Sequence, residues 1–122
     1  MFDIEKKILQ KGTELFFNGG EFLYCRDQDA DYVFYLKDGA VEIQDTDPVS
    51  VYRIEGCRCF LGLHEIILDK KHEESVKIAE PSILVAFDKS LIHHLMSEQS
   101  SIRRYFMLKM CDHMAALSKS YE

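Results

Sequence analysis

Apolar and polar positions along the chain follow two different periods, and the change of period divides it. In the first ten residues Phe2, Ile4, Ile8 and Leu9 gather near one helical face, which predicts a short N-terminal helix. A helical segment over residues 1–18 is expected, broken by Gly19-Gly20. Beyond the glycines the runs become short and extended. "EFLYC" (Glu21–Cys25) precedes "YVFYLK" (Tyr32–Lys37), whose aromatic and β-branched residues favour a strand. Asp38-Gly39 predicts a hairpin turn into "AVEIQ" (Ala40–Gln44), which alternates apolar and polar. After "DTDP", "VSVYRI" (Val49–Ile54) alternates again. A short helix is expected near Leu63–Leu68, after Gly62. Then "SVKIA" and "ILVAFD" predict two strands split by Glu80-Pro81-Ser82.

At Lys89 the period returns to three and four, with Leu91, Ile92 and Leu95 on one face. From Glu98 onward there is no Gly or Pro, so a longer helix is expected to about Lys119. The plan is α+β: short strands over residues 20–88 that argue for a sandwich or barrel, a β-roll holding one short internal helix, followed by helices over 89–122. At 122 residues this is one domain, large enough to bury a core without metal or disulfide staples.

Composition narrows the class. Hydrophobic residues make up 47% and charged residues 30%, a mix that folds rather than staying disordered. The formal net charge of −6 disfavours nonspecific binding to nucleic acid or anionic membrane, which needs a basic face. No apolar run approaches the roughly 20 residues of a membrane helix. "MFDIEKKILQKG" has no long apolar core or small-residue cleavage site, so a cytoplasmic protein is expected. The cysteines Cys25, Cys57, Cys59 and Cys111 are then expected as free thiols.

Candidate chemistry is sparse. Gly62 opens a helix where free backbone N–H groups could face an anion, yet the loop beyond it holds His72, Glu73 and Glu74. Cys57-x-Cys59 could ligate metal or form a redox pair. The other cysteines are single and distant, so packing along one strand face is preferred. His64-Glu65, His72 and His93-His94 lack the His-x-His spacing of a metal-dependent jelly-roll enzyme, and are expected as solvated histidines. No nucleophile–base grouping sits in a recognisable setting, so no catalytic residue, metal or cofactor is assigned.

The last helix carries a further pattern. Met107, Met110, Met114, Leu117 and Tyr121 recur at alternating spacings of three and four, a heptad seam. Ile102, Tyr105 and Phe106 are expected to pack on the β-roll, which leaves the seam for a second copy. A homodimer through this helix is expected, with methionines giving an adaptable surface.

This order of elements resembles the cyclic-nucleotide-binding domain superfamily, the β-roll modules of Crp-like transcription factors, kinase regulatory subunits and gated channels. The likeness runs from about Gly20 to Leu117 and implies an antiparallel double-stranded β-helix, or jelly roll, over residues 20–88. Gly20, Glu21, Asp31, Tyr35, Leu36, Gly39 and Val41 match its opening, and Leu84, Val85, Phe87 and Asp88 its last strand and following helix. Phe60 and Gly62 fall in its phosphate-binding cassette, with Ser75 near a usual small or hydroxyl residue. In ligand-binding members the resemblance implies a Glu on the ribose hydroxyl and an Arg on the cyclic phosphate. Leu63 stands at the Glu position, and His72 or Glu73 at the Arg position. Asp27 is the nearest candidate for the glycine of the first polar turn.

Physical chemistry then argues against cAMP and cGMP. Each hydrogen bond to a charged group contributes about 1.5–3 kcal/mol, so losing the Arg costs affinity roughly ten- to hundredfold. A carboxylate in its place would repel a phosphate charge by about 4 kcal/mol at 4 Å and an effective dielectric near 20. A non-catalytic regulatory module in signal transduction is expected, working through a protein partner. The alternatives are a pocket (Phe60, Gly62, Leu63, His64, His72, Glu73, Glu74, Ser75) retuned to another small molecule, and a metal-dependent jelly-roll enzyme. The chain as read ends at Glu122, and the basic residues Arg103, Arg104, Lys109 and Lys119 are offset by Glu98, Asp112 and Glu122. No helix-turn-helix and no DNA binding by this chain alone are expected.

Overall fold

A computed structural model describes the backbone of residues 2–44, 51–55 and 59–120, and the side chains of 4–44 and 59–110. Helix α1 (Phe2–Leu9) opens the chain, and its last turn tightens into Gly12 through Lys11 N–H to Ile8 C=O and Gly12 N–H to Leu9 C=O. The expected helical segment to residue 18 is not found: Thr13–Phe17 is strand β1. "TELFF" is β-branched and aromatic, and Gly12 ends the helix before it. A Cβ at Gly12 would lie 2.7 Å from the Phe87 ring, so only glycine lets the chain pass this close to the sheet.

The remaining elements are β2 (Phe22–Tyr24), β3 (Tyr32–Gln44), β4 (Val51–Glu55), β5 (Phe60–Leu61), α2 (Leu63–Leu68), β6 (Ser75–Asp88), α3 (Lys89–Glu98) and α4 (Ser100–Ser120). All pairings are antiparallel, in the order β1-β6-β3-β4, with β2 also on β6 and β5 also on β3. This is an α+β β-roll built on two long strands.

Two expected turns are kinks inside those strands. Asp38-Gly39 does not make a hairpin; β3 runs through it, and both halves pair with β6. Gly39 takes φ +112 there, and a Cβ would sit 2.5 Å from the Ser82 Cβ. Glu80-Pro81-Ser82 likewise does not split β6. The register slips between Asp38↔Ile83 and Ala40↔Glu80, leaving the exposed Pro81 unpaired at the irregularity. Proline has no N–H to give, so a bulge is where a strand tolerates it. Ser82 Oγ closes the kink, accepting from Ala40 N–H at 3.2 Å and donating to Glu80 C=O at 2.6 Å.

Alternation along β3 feeds two cores. Val33 and Tyr35 face the helices, with Phe60, Leu63, Ile102 and Phe106. Phe34 and Leu36 face the opposite side, with Leu61, Ile78 and Leu84. Glu5 fastens α1 to this frame. Tyr35 O–H donates to its Oε1 at 2.6 Å and Tyr105 O–H to its Oε2 at 2.9 Å. Burial, then the bond to the Glu5 carboxylate, push the Tyr105 phenol well above its usual range. Among the described residues no helix is long and apolar enough to cross a membrane.

Candidate functional site

The candidate cassette starts at Gly62, whose φ of +85 turns β5 into α2. A left-handed residue at a helix start favours glycine. The helix stops after six residues at Asp69, also left-handed at φ 53. Beyond it, the loop to Ser75 is zipped to the turn after β2. Asp27 N–H donates to His72 C=O at 2.8 Å, His72 N–H to Gln28 C=O at 3.0 Å, and Arg26 N–H to Ser75 Oγ at 2.8 Å. Asp27 takes φ 71, so it fills the glycine role of that turn in a conformation Asp tolerates.

This zipper decides which residue points inward. His72 was expected to be solvated; it is 3% exposed. Its ring stacks on Tyr24, centroids 3.6 Å apart and planes 10° from parallel. Its Nδ1 lies 3.2 Å from Glu65 Oε1, and its Cε1 would be 3.2 Å from a Cβ on Gly62. Of the two candidates for the anion-gripping position, His72 therefore occupies the seat beside Gly62. Glu73 turns outward to Lys70, with His64 Nε2 4.0 Å away.

Glu65 entered the sequence reading only beside His64 in a metal pattern that was not preferred; its place against His72 was missed. It is 5% exposed on α2, and besides His72 it accepts from Glu73 N–H at 3.4 Å. Burial pushes its carboxyl upward, but the His72 bond, backbone donors and attraction to His72 outweigh this. The net direction is below the ordinary 4.5, so Glu65 is a carboxylate at neutral pH. A lone Glu inside the apolar run "LHEIIL" was the available signal. Tyr24, the stacking platform, gave none beyond its place at the end of a short strand.

The other candidates take structural places. Leu63 is buried in the core shared with the helices, so its position presents no acceptor to the cassette. Phe60 is the hub of an aromatic cluster, 5.0 Å from Tyr35 and 5.6 Å from Phe106 by ring centroids. Glu74 is buried and lines a crevice that Phe60, His64 and Glu65 share with Lys109 and Met110 of α4. That crevice holds only about 10 Å³, room for about one water. His64 Nδ1 is buried without a hydrogen-bond partner among the described residues. Larger hollows of about 530 and 470 Å³ lie along α1, and neither reaches Gly62.

His93 and His94 are exposed on α3, with His94 beside Glu98. Cys59 packs against the second core, and Cys57 lies outside the described residues. No group of three His, Cys, Asp or Glu placed to hold a metal occurs among the described residues. On α4, Ile102, Tyr105 and Phe106 are buried as expected. The proposed seam is less uniform than its spacing implied. Met107 is 41% exposed, but Met110 is partly buried against the core. The side chains of Met114 and Leu117, and all of Tyr121, lie outside the described residues.

Comparison with known proteins adds to this geometry. A family profile described as cyclic nucleotide-binding domain matches residues 14–99. No curated protein matches. Among solved structures, a Geobacter metallireducens protein named for cyclic nucleotide binding superposes with TM-score 0.74 at 16% identity, over 95% of this chain and 86% of its own. A transcriptional regulator of Thermotoga maritima gives 0.73 at 17%, over 96% and 94%. The c-di-GMP responsive global regulator CLP of Xanthomonas campestris gives 0.75 at 13%, over 99% of this chain and 59% of its own. At these identities the structures establish a shared fold.

Proposed function

The chain belongs to the cyclic nucleotide-binding domain family, and on that basis we propose that it is a non-catalytic regulatory module that takes neither cAMP nor cGMP. The observation that carries this is the seat beside Gly62, filled by the His72 ring and backed by the Glu65 carboxylate. A cyclic phosphate brought there would have to displace the ring from Tyr24. It would then meet a carboxylate already in place, at a cost of about 4 kcal/mol for charges 4 Å apart at an effective dielectric near 20. That alone is about a thousandfold in affinity. Leu63 supplies nothing to a ribose hydroxyl, and the crevice toward α4 has no room for a base. A different small molecule at this place faces the same filled volume, so the reading with a retuned ligand has less support. Isothermal titration with millimolar cAMP and cGMP tests the proposal. No saturable heat is expected; a micromolar dissociation constant would overturn it.

With no ligand to report, the module acts through protein contacts. The exposed Met107 and Leu108 on α4 support self-association along that helix, in a surface adaptable enough to accept a partner as well. Light scattering over a concentration series decides this, because mass action makes a dimer concentration-dependent. A strict monomer up to about 100 μM would remove the homodimer, since a working seam should associate well below that.

A further inference from the structure

The cassette and the last helix are packed as one body. Phe60 meets Tyr105 and Phe106 of α4 edge-on, at 6.1 and 5.6 Å between ring centroids. Leu63 and Ile66 of α2 sit in the same cluster as Ile102 of α4. What space remains between Glu65 and the Lys109–Met110 turn is about 10 Å³. Interiors this full transmit displacement rather than absorb it. A tilt of α2 therefore moves α4. The orientation of α2 depends in turn on Glu65, a buried carboxylate whose side-chain partner is His72.

We propose that the Glu65–His72 pair is an internal lock, holding α2 and through it α4 in one position. The face of α4 that carries Met107 is then set by the protein's own side chains and presented constantly, rather than on arrival of a guest. This rests on the reading that the cassette takes no cyclic nucleotide. His72 and Glu65 are positioning residues here, since neither touches the exposed face of α4.

Hydrogen–deuterium exchange on the full chain tests the lock. His72→Ala is compared with Ile78→Ala, which cuts into the core on the other side of the sheet. The comparison is made at matched global stability, so that only local opening separates the two. With the lock, amides of residues 101–110 exchange about tenfold faster in His72→Ala than in Ile78→Ala, while those of β3 and β6 match. Equal exchange of α4 in both variants would overturn it. If His72→Ala does not fold, Glu65→Gln is read by the same criterion, because it keeps the shape and removes the charge. A third arm adds millimolar cAMP to the wild type. A saturable change there overturns the proposed function, while the variants still decide the lock.

Discussion

Removing the His72 side chain gives the sharpest test of how the cassette is held. In His72→Ala the Glu65 carboxylate stays at a 5%-exposed position with its side-chain partner gone. Breaking a buried pair from one side costs about 3–5 kcal/mol, because the remaining charge is left uncompensated. Losing the stack on Tyr24, at 3.6 Å, adds about 0.5–1.5 kcal/mol. The sum, about 3.5–6.5 kcal/mol, is a large share of the 5–15 kcal/mol typical of a whole domain. The chain has no Trp, so urea unfolding is followed by far-UV circular dichroism. At slopes of about 1–3 kcal/mol per molar urea, the midpoint should fall by roughly 2 M. Two companions separate the terms. His72→Phe keeps a ring on Tyr24 but loses the pair, so it should recover only the stacking share. Glu65→Leu with His72→Phe removes both polar partners, and should return to within about 1–2 kcal/mol of the wild type, since apolar replacement of a buried pair is often neutral. A loss in His72→Ala below about 1 kcal/mol, the range of an exposed ion pair, would refute the reasoning.

Other expectations follow from the same geometry. Because the folded Glu65 carboxyl lies below the ordinary 4.5, its contribution is complete above that value and is lost as pH falls through the lowered one. Urea midpoints from about pH 6 down to about pH 3 should drop, and Glu65→Gln should flatten part of that drop. A residual slope should persist from the exposed Asp69 and Asp88, lowered by Lys89 and by the Leu91 N–H respectively. Gly39→Ala forces a Cβ against Ser82 at φ +112 and should cost about 1–3 kcal/mol by chemical denaturation; a change under about 0.5 kcal/mol would contradict the kink. Tyr105→Phe loses the 2.9 Å bond to Glu5 and should cost about 1.5–3 kcal/mol, while Tyr105→Phe combined with Glu5→Gln should cost less than the sum of the two.

What the sequence revealed and what it hid divide along physical lines. Strand and helix character was legible where periodicity is strong: α2 at Leu63–Leu68, α3 from Lys89, and the buried face Ile102, Tyr105 and Phe106 of α4. Connectivity within the roll was less so. Asp38-Gly39 and Pro81 are strong turn signals taken alone, yet each lies opposite the other's irregularity, where two bulges bend two long strands together. A local rule cannot see that the partner strand bends at the same level. β1 was read into the helical segment although "TELFF" is rich in strand formers, because its partner β6 is distant in sequence and no local hairpin marks the pairing. The family resemblance pointed to the stretch from Gly62 to Ser75 as the candidate site. The inward turn of His72 and its bond to Glu65 were not legible, since they depend on the zipper to Asp27 and Gln28.

That zipper explains why a hydrogen-bonded polar pair, rather than an apolar plug, can sit in this seat. A buried polar pair adds little net stability over hydrophobic filling, so its use here lies in specificity. The loop reads Lys70-Lys71-His72-Glu73-Glu74, with ionisable residues on both sides of the seat. A slip of one residue forward would set Glu73 against Glu65, and two carboxylates about 4 Å apart repel by about 4 kcal/mol at an effective dielectric near 20. A slip backward would bring Lys71, whose flexible stem has no ring to lay on Tyr24 and loses more rotamer freedom on burial. Only His72 satisfies both neighbours: a planar face for Tyr24 and an Nδ1 within reach of Glu65. The loop is therefore held in one register by what the alternatives would cost. An apolar residue at position 65 would lift the charge penalty on the forward slip and leave the register to the backbone bonds alone.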